Sequence, residues 1–166
     1  MVSKTTSIEP EQRRWLMKAL RETAGELFGQ FYRLDEKQLR RRPAPGEWCM
    51  KEIAAHVRDA EVLYLAQIEA ISQRHNPRLP HEPIECYPQE RDYRSEPLQH
   101  FLSEWEQARE ETCWLLRLLD GEDWLRTGVH PYKGVISIHD IVRELHDHDL
   151  EYLRNARRLR EALETR

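Results

Sequence analysis

Residues 137–164 read SIHDIVRELHDHDLEYLRNARRLREALE, and this stretch decides the fold class. Ile138, Ile141, Val142, Leu145, Tyr152, Leu153, Ala156 and Leu159 recur mostly at steps of three and four, which places them on one face of a helix. Ser137 with Asp140 three residues on is a variant of the capping box, so the helix starts there. A helix of ~28 residues is roughly 42 Å long at 1.5 Å per residue, with one apolar stripe and a charged back. It needs partners of similar length to cover that stripe.

The rest of the chain supplies three. Residues 9–35 carry Trp15, Leu16, Leu20, Leu27, Phe31 and Leu34 at helical spacing, with Pro10 acceptable in a first turn. The run Arg42, Pro43, Ala44, Pro45, Gly46 then stops any helix. Residues 47–73 carry Ile53, Val57, Ala60, Tyr64, Ile68 and Ile71, and residues 96–119 carry Leu98, Phe101, Leu102, Trp105, Leu115 and Leu119. Ser95 is a plausible N-cap for this third segment and Gly121 marks its end. The expectation is an all-α chain, one four-helix-bundle domain over residues 1–166. A long connection at residues 74–94, holding Pro77, Pro80, Pro83 and Pro88, joins the second and third helices. It reads equally as a binding loop or lid and as a plain crossover.

Composition narrows the partners. Charged residues are 34% of the chain and the net charge is −4, with 26 basic and 30 acidic side chains interspersed. That excludes the basic stripe of a nucleic-acid binder, and the Arg40–Arg42 run reads as a solvated helix end. Cys49, Cys86 and Cys113 form no metal or disulfide spacing, and residues 1–10 lack a secretion pattern. No apolar run reaches the ~20 residues of a membrane span. A soluble cytoplasmic protein is expected.

Eight histidines invite a metal hypothesis. His75, His81 and His130 fall in loops, His100 and His139 near helix starts, and His146 toward a polar face, so all six read as surface residues. His56 lies about 60°, and His148 about 70°, from the centre of its helix's apolar stripe. Both stand at the margin of a buried face, where side chains from two helices meet. Tyr152 follows His148 by one turn. Asp149 lies close to the stripe centre, a place a carboxylate occupies only with a partner. Histidines on facing helices build metal sites in bundle cores, and half-buried hydrogen-bonded histidines are the alternative.

The stretch Gly46-Glu47-Trp48, then residues 51–57 (KEIAAHV), Phe101, Arg109, His130-Pro131, Gly134 and the run 138–153 together resemble the DinB/YfiT-like four-helix bundles over about residues 10–160. That resemblance implies a divalent metal (Zn, Ni or Fe) held by three histidines, one from the second helix and two at H-x3-H spacing on the fourth. Carried over, the ligands are His56 and His148, with Tyr152 where the third histidine stands. Glu144, one turn before His148, or a water is the other candidate to complete the set. The resemblance further implies a metal-dependent enzyme acting on a small molecule, with S-transfer from a low-molecular-weight thiol preferred over hydrolysis, and homodimer formation. A metal-free bundle, acting as a small-molecule-binding or stress-associated dimer, is the rival that Tyr152 favours.

Overall fold

The computed structural model describes residues 6–165. Its elements are α1 (Pro10–Gly29), α2 (Glu36–Arg40), α3 (Met50–Gln73), α4 (Tyr87–Glu90), α5 (Leu98–Leu118), strands β1 (Thr127–His130) and β2 (Gly134–Ser137), and α6 (Ile138–Glu164). The long helices α1, α3, α5 and α6 form the four-helix bundle expected from their stripes. Chain order is not the order around the bundle: α6 packs against both α1 and α3, and α3 packs against α5. The last helix therefore lies beside the first and the second long ones, which puts the candidate histidines of α3 and α6 on adjacent elements.

The ends of the helices follow from local chemistry. The first helical segment, expected to run to residue 35, stops at Gly29. Arg33 then takes a left-handed turn at φ 59°, and α2 starts afresh behind Asp35, whose side chain accepts from the Gln38 N–H. The second segment starts at Met50 rather than residue 47, because Gly46 turns the chain at φ 82° and the Cys49 N–H donates to the Glu52 carboxylate at 2.8 Å. Arg42 is not a purely solvated end residue, since it is paired to that same buried Glu52.

Between α5 and α6 lies a feature the sequence reading did not contain, an antiparallel hairpin in which Thr127 pairs with Ser137 and His130 with Gly134. His130 is 4% exposed, not a surface loop residue. Its Nδ1 accepts from the Tyr132 and Lys133 N–H groups, both at 3.1 Å, and so closes the hairpin turn. Gly134, at φ 74°, supplies the positive backbone angle that the return strand needs. Ser137 ends β2 and caps α6, its Oγ accepting from the Asp140 N–H at 3.0 Å.

The Pro-rich connection is packed down. Leu79 N–H donates to the Val129 carbonyl at 2.9 Å and Val129 N–H to the Pro77 carbonyl at 2.7 Å, tying it to β1. Ile84, Tyr87 and Tyr93 are buried from it, and the Gln67 side-chain amide donates to the Pro80 carbonyl at 2.9 Å. The apolar core has two parts. One gathers Leu27, Ile53, Phe101, Trp105 and Leu153, the other Leu20, Ile68, Ile71, Leu116 and Ile141. On α3, α5 and α6 the polar residues Glu61, Arg109 and Asp149 fall where one part gives way to the other.

Candidate functional site

His56 projects from α3 and His148 from α6, and the two Nε2 atoms stand 3.0 Å apart. Tyr152 packs its ring 4.6 Å (centroid to centroid) from each imidazole. Trp48, at the entry to α3, lies 4.9 Å from the His56 ring, and Tyr64 approaches His148 edge-on at 6.2 Å. Helical phase explains the grouping. His148 and Tyr152 are one turn apart on α6, as the sequence implied, and His56 meets them across the α3–α6 contact.

Burial sets the charge state. His56 is 1% exposed, and burial pushes its pKa below the ordinary 6.5. His148 is pushed down to about 3 by burial, by the neighbouring His56 and by the Arg109 guanidinium. Both imidazoles are neutral near pH 7. Burial also raises the Tyr152 and Tyr64 phenols above 10, so they stay protonated. The Nδ1 atoms of both histidines are buried without a hydrogen-bond partner among the described residues.

Two neutral imidazoles with convergent Nε2 atoms suit a divalent ion, since two nitrogens ~2.0 Å from one tetrahedral ion sit roughly 3.3 Å apart. Among the described residues no group of three His, Cys, Asp or Glu side chains comes together to hold a metal. Glu144 is drawn to Lys133, with which it is ion-paired. The geometry therefore brings together three of the four residues singled out in the sequence, His56, His148 and Tyr152. As a neutral phenol, Tyr152 is a weak donor.

A second cluster lies directly behind His148. Arg109 of α5 donates from Nε and Nη2 to Glu61 of α3 at 2.8 and 2.5 Å. It also donates to Asp149 of α6 at 2.8 Å and to the Leu20 carbonyl of α1 at 2.9 Å. Thr112 donates to the other Glu61 oxygen at 2.8 Å. Asp149 thus has the partner its position demanded. Burial raises its pKa to about 6 against the pull of Arg109. Glu61 and Thr112 were not foreseen. Glu61 is four residues from Val57 and three from Tyr64, inside the α3 stripe, a position where a carboxylate demands a partner just as Asp149 does.

The DinB superfamily model matches residues 19–154, which hold every residue of this site. The chain belongs to the DinB superfamily. Among solved structures, YfiT from Bacillus subtilis, described as a probable metal-dependent hydrolase with an unusual four-helix bundle topology, is similar with a TM-score of 0.83. The likeness covers 95% of this chain and 90% of that one at 17% sequence identity, which establishes a shared fold. No protein with a curated description matches. Within the superfamily fold, the α3–α6 contact is where this chain's paired histidines meet. No helix among its described residues is long and apolar enough to cross a membrane.

Proposed function

We propose that this chain is a divalent-metal-dependent enzyme acting on a small molecule, with His56 and His148 holding the ion through Nε2 and Tyr152 beside the third position. The observation that carries this reading is the 3.0 Å convergence of two imidazole nitrogens from different helices. Such nitrogens, kept neutral by burial, are poor proton acceptors at pH 7 but ready ligands for Zn²⁺, Ni²⁺ or Fe²⁺. When bound, the metal supplies Lewis acidity and lowers the pKa of a thiol or water nucleophile. Trp48 and Tyr152 shield the pair from solvent, while Arg109 and Asp149 hold the α6 face that presents His148. S-transfer from a low-molecular-weight thiol is proposed ahead of hydrolysis on the strength of the family resemblance, and a cleft of about 490 Å³ lined by Trp48 and Tyr152 lies beside the pair. The description of YfiT as a probable metal-dependent hydrolase supports water as the alternative nucleophile. The free thiols of Cys49, Cys86 and Cys113 accord with a cytoplasmic location, and homodimer formation is part of the proposal.

A second reading, a metal-free bundle that binds small molecules, is favoured by the unpartnered Nδ1 atom of His148, because metal-bound histidines almost always donate their other N–H. Metal analysis of protein purified without a nickel column separates the two. Less than about a tenth of an equivalent, with no uptake of added Zn²⁺, Ni²⁺ or Fe²⁺, refutes the enzyme reading. His56→Ala is expected to lower the Tm of metal-loaded protein and leave apo protein nearly unchanged. Equal losses in both forms assign His56 to packing alone.

A further inference from the structure

The cleft beside the histidine pair is walled by Trp48 and Tyr152, whose rings are nearly parallel at 11° with centroids 5.9 Å apart. Farther along α6 its lining includes Asn155 and Arg158, and Glu47, next to Trp48 in the chain, lines it as well. Tyr152 and Arg158 are six residues apart, about 9 Å along the helix axis at 1.5 Å per residue.

The charged side chains that line this cleft are Glu47 and Arg158. Arg157 and Arg160, the neighbours of Arg158, are tied to Glu26 and Glu164. Arg158 bonds only the neutral Asn155 amide oxygen, at 2.5 Å, among the described residues. Glu47 likewise makes no ion pair among them, and both side chains are exposed to the cleft. An unpaired cation and an unpaired anion thus face one concavity without closing on each other. A ligand that carries both charges, with an apolar body to lie against aromatic rings, matches that lining in chemistry.

We infer that this cleft binds a zwitterionic small molecule of the α-amino-acid type, its carboxylate on Arg158, its ammonium on Glu47, and its side chain directed at Trp48 and Tyr152. A guanidinium is the matching donor for a planar carboxylate. The side chain then ends against the two rings that cover His56 and His148, at the edge of the proposed centre. This names the substrate class of that centre, and so rests on the reading above for its catalytic meaning, while the binding itself needs no metal.

The test uses EDTA-treated full-length protein and three probes: S-benzyl-L-cysteine, its methyl ester, which lacks the carboxylate, and its N-acetyl derivative, which lacks the ammonium. Binding is followed through the tryptophan indole signals in ¹H–¹⁵N spectra, with Trp48 assigned by Trp48→Phe. The zwitterion is expected to shift the Trp48 signal and to bind at least 5-fold more tightly than either blocked probe. Arg158→Gln is expected to abolish the preference over the methyl ester, and Glu47→Gln the preference over the N-acetyl form. Both side chains are exposed, so both variants should keep the wild-type Tm. Equal affinity for the three probes, shifts confined to other tryptophans, or a ranking unchanged in both variants overturns the inference. Zwitterion binding by protein that takes up no metal upholds this site and refutes the metal reading; metal uptake without probe binding does the reverse.

Discussion

Replacing Arg109 by Met removes the cation on which four helices converge. The guanidinium makes two hydrogen bonds to Glu61, one to Asp149 and one to the Leu20 carbonyl, in a setting where Glu61 is 0% and Asp149 1% exposed. Its loss leaves two buried carboxylates facing each other with one hydroxyl, that of Thr112, as donor. Asp149 is already raised to about 6 by burial even with Arg109 in place, so without the cation it must take up a proton at pH 7 or bear the full cost of desolvation. Breaking a buried ion pair from one side costs about 3–5 kcal/mol. That is a large part of the roughly 5–15 kcal/mol by which a domain is stable. The triple variant Glu61→Leu/Arg109→Met/Asp149→Leu removes the stranded charges as well, and apolar residues of similar volume are expected to restore most of the loss. Urea unfolding at pH 7 measures both. A cost below about 1 kcal/mol for Arg109→Met, or a triple variant no more stable than the single one, would refute the description of this cluster as a mutually dependent set.

Tyr152→His creates the H-x3-H pair on α6 and is expected to tighten Zn²⁺ binding at least 10-fold in chelator competition; no gain refutes the placement of Tyr152 at the third ligand position. The pH dependence of stability tests the neutral burial of His148. The unfolded chain takes up a proton near 6.5 while the folded one stays neutral down to about 3, so stability from this group is lost as pH falls below 6.5. Going from pH 7.5 to 5.5 costs about 1.4 kcal/mol through His148. Asp149, raised from 3.8 to about 6, acts in the opposite sense, because the folded state now holds the extra proton; it returns about 0.8 kcal/mol over the same range. His148→Asn should therefore lack the acid-side loss, and parallel denaturation profiles for wild type and variant would contradict it. Gly128→Ala would place a Cβ 2.4 Å from Leu79 Cδ2 and 3.0 Å from Ile71 Cγ1. It is expected to cost about 1–3 kcal/mol by overpacking, and an unchanged Tm would show that Leu79 gives way freely.

The long helices were legible because each carries a continuous apolar stripe, and stripes of like length have few ways to be covered. The marginal positions of His56 and His148 on their stripes were legible for the same reason, whereas their meeting followed only from the family resemblance. The order of helices around the bundle was not legible, since periodicity gives a helix's buried face and not its neighbour. The hairpin escaped because strands of four residues show too little alternation to read. His130 was misplaced with it, since a histidine whose Nδ1 serves a turn looks in sequence like any loop residue. Glu61 differs, since a carboxylate inside an apolar stripe signals a buried partner as Asp149 does.

Ser137 is at once the last residue of the hairpin and the cap of α6, so no slack separates strand from helix. The hairpin thereby acts as an angular origin: it sets the phase at which α6 departs, and every later residue inherits it. His148 lies eleven residues downstream, and each residue inserted before it without compensation would turn it by about 100°. One such insertion would carry its ring from the α3 seam to another side of the bundle, with the helix itself intact.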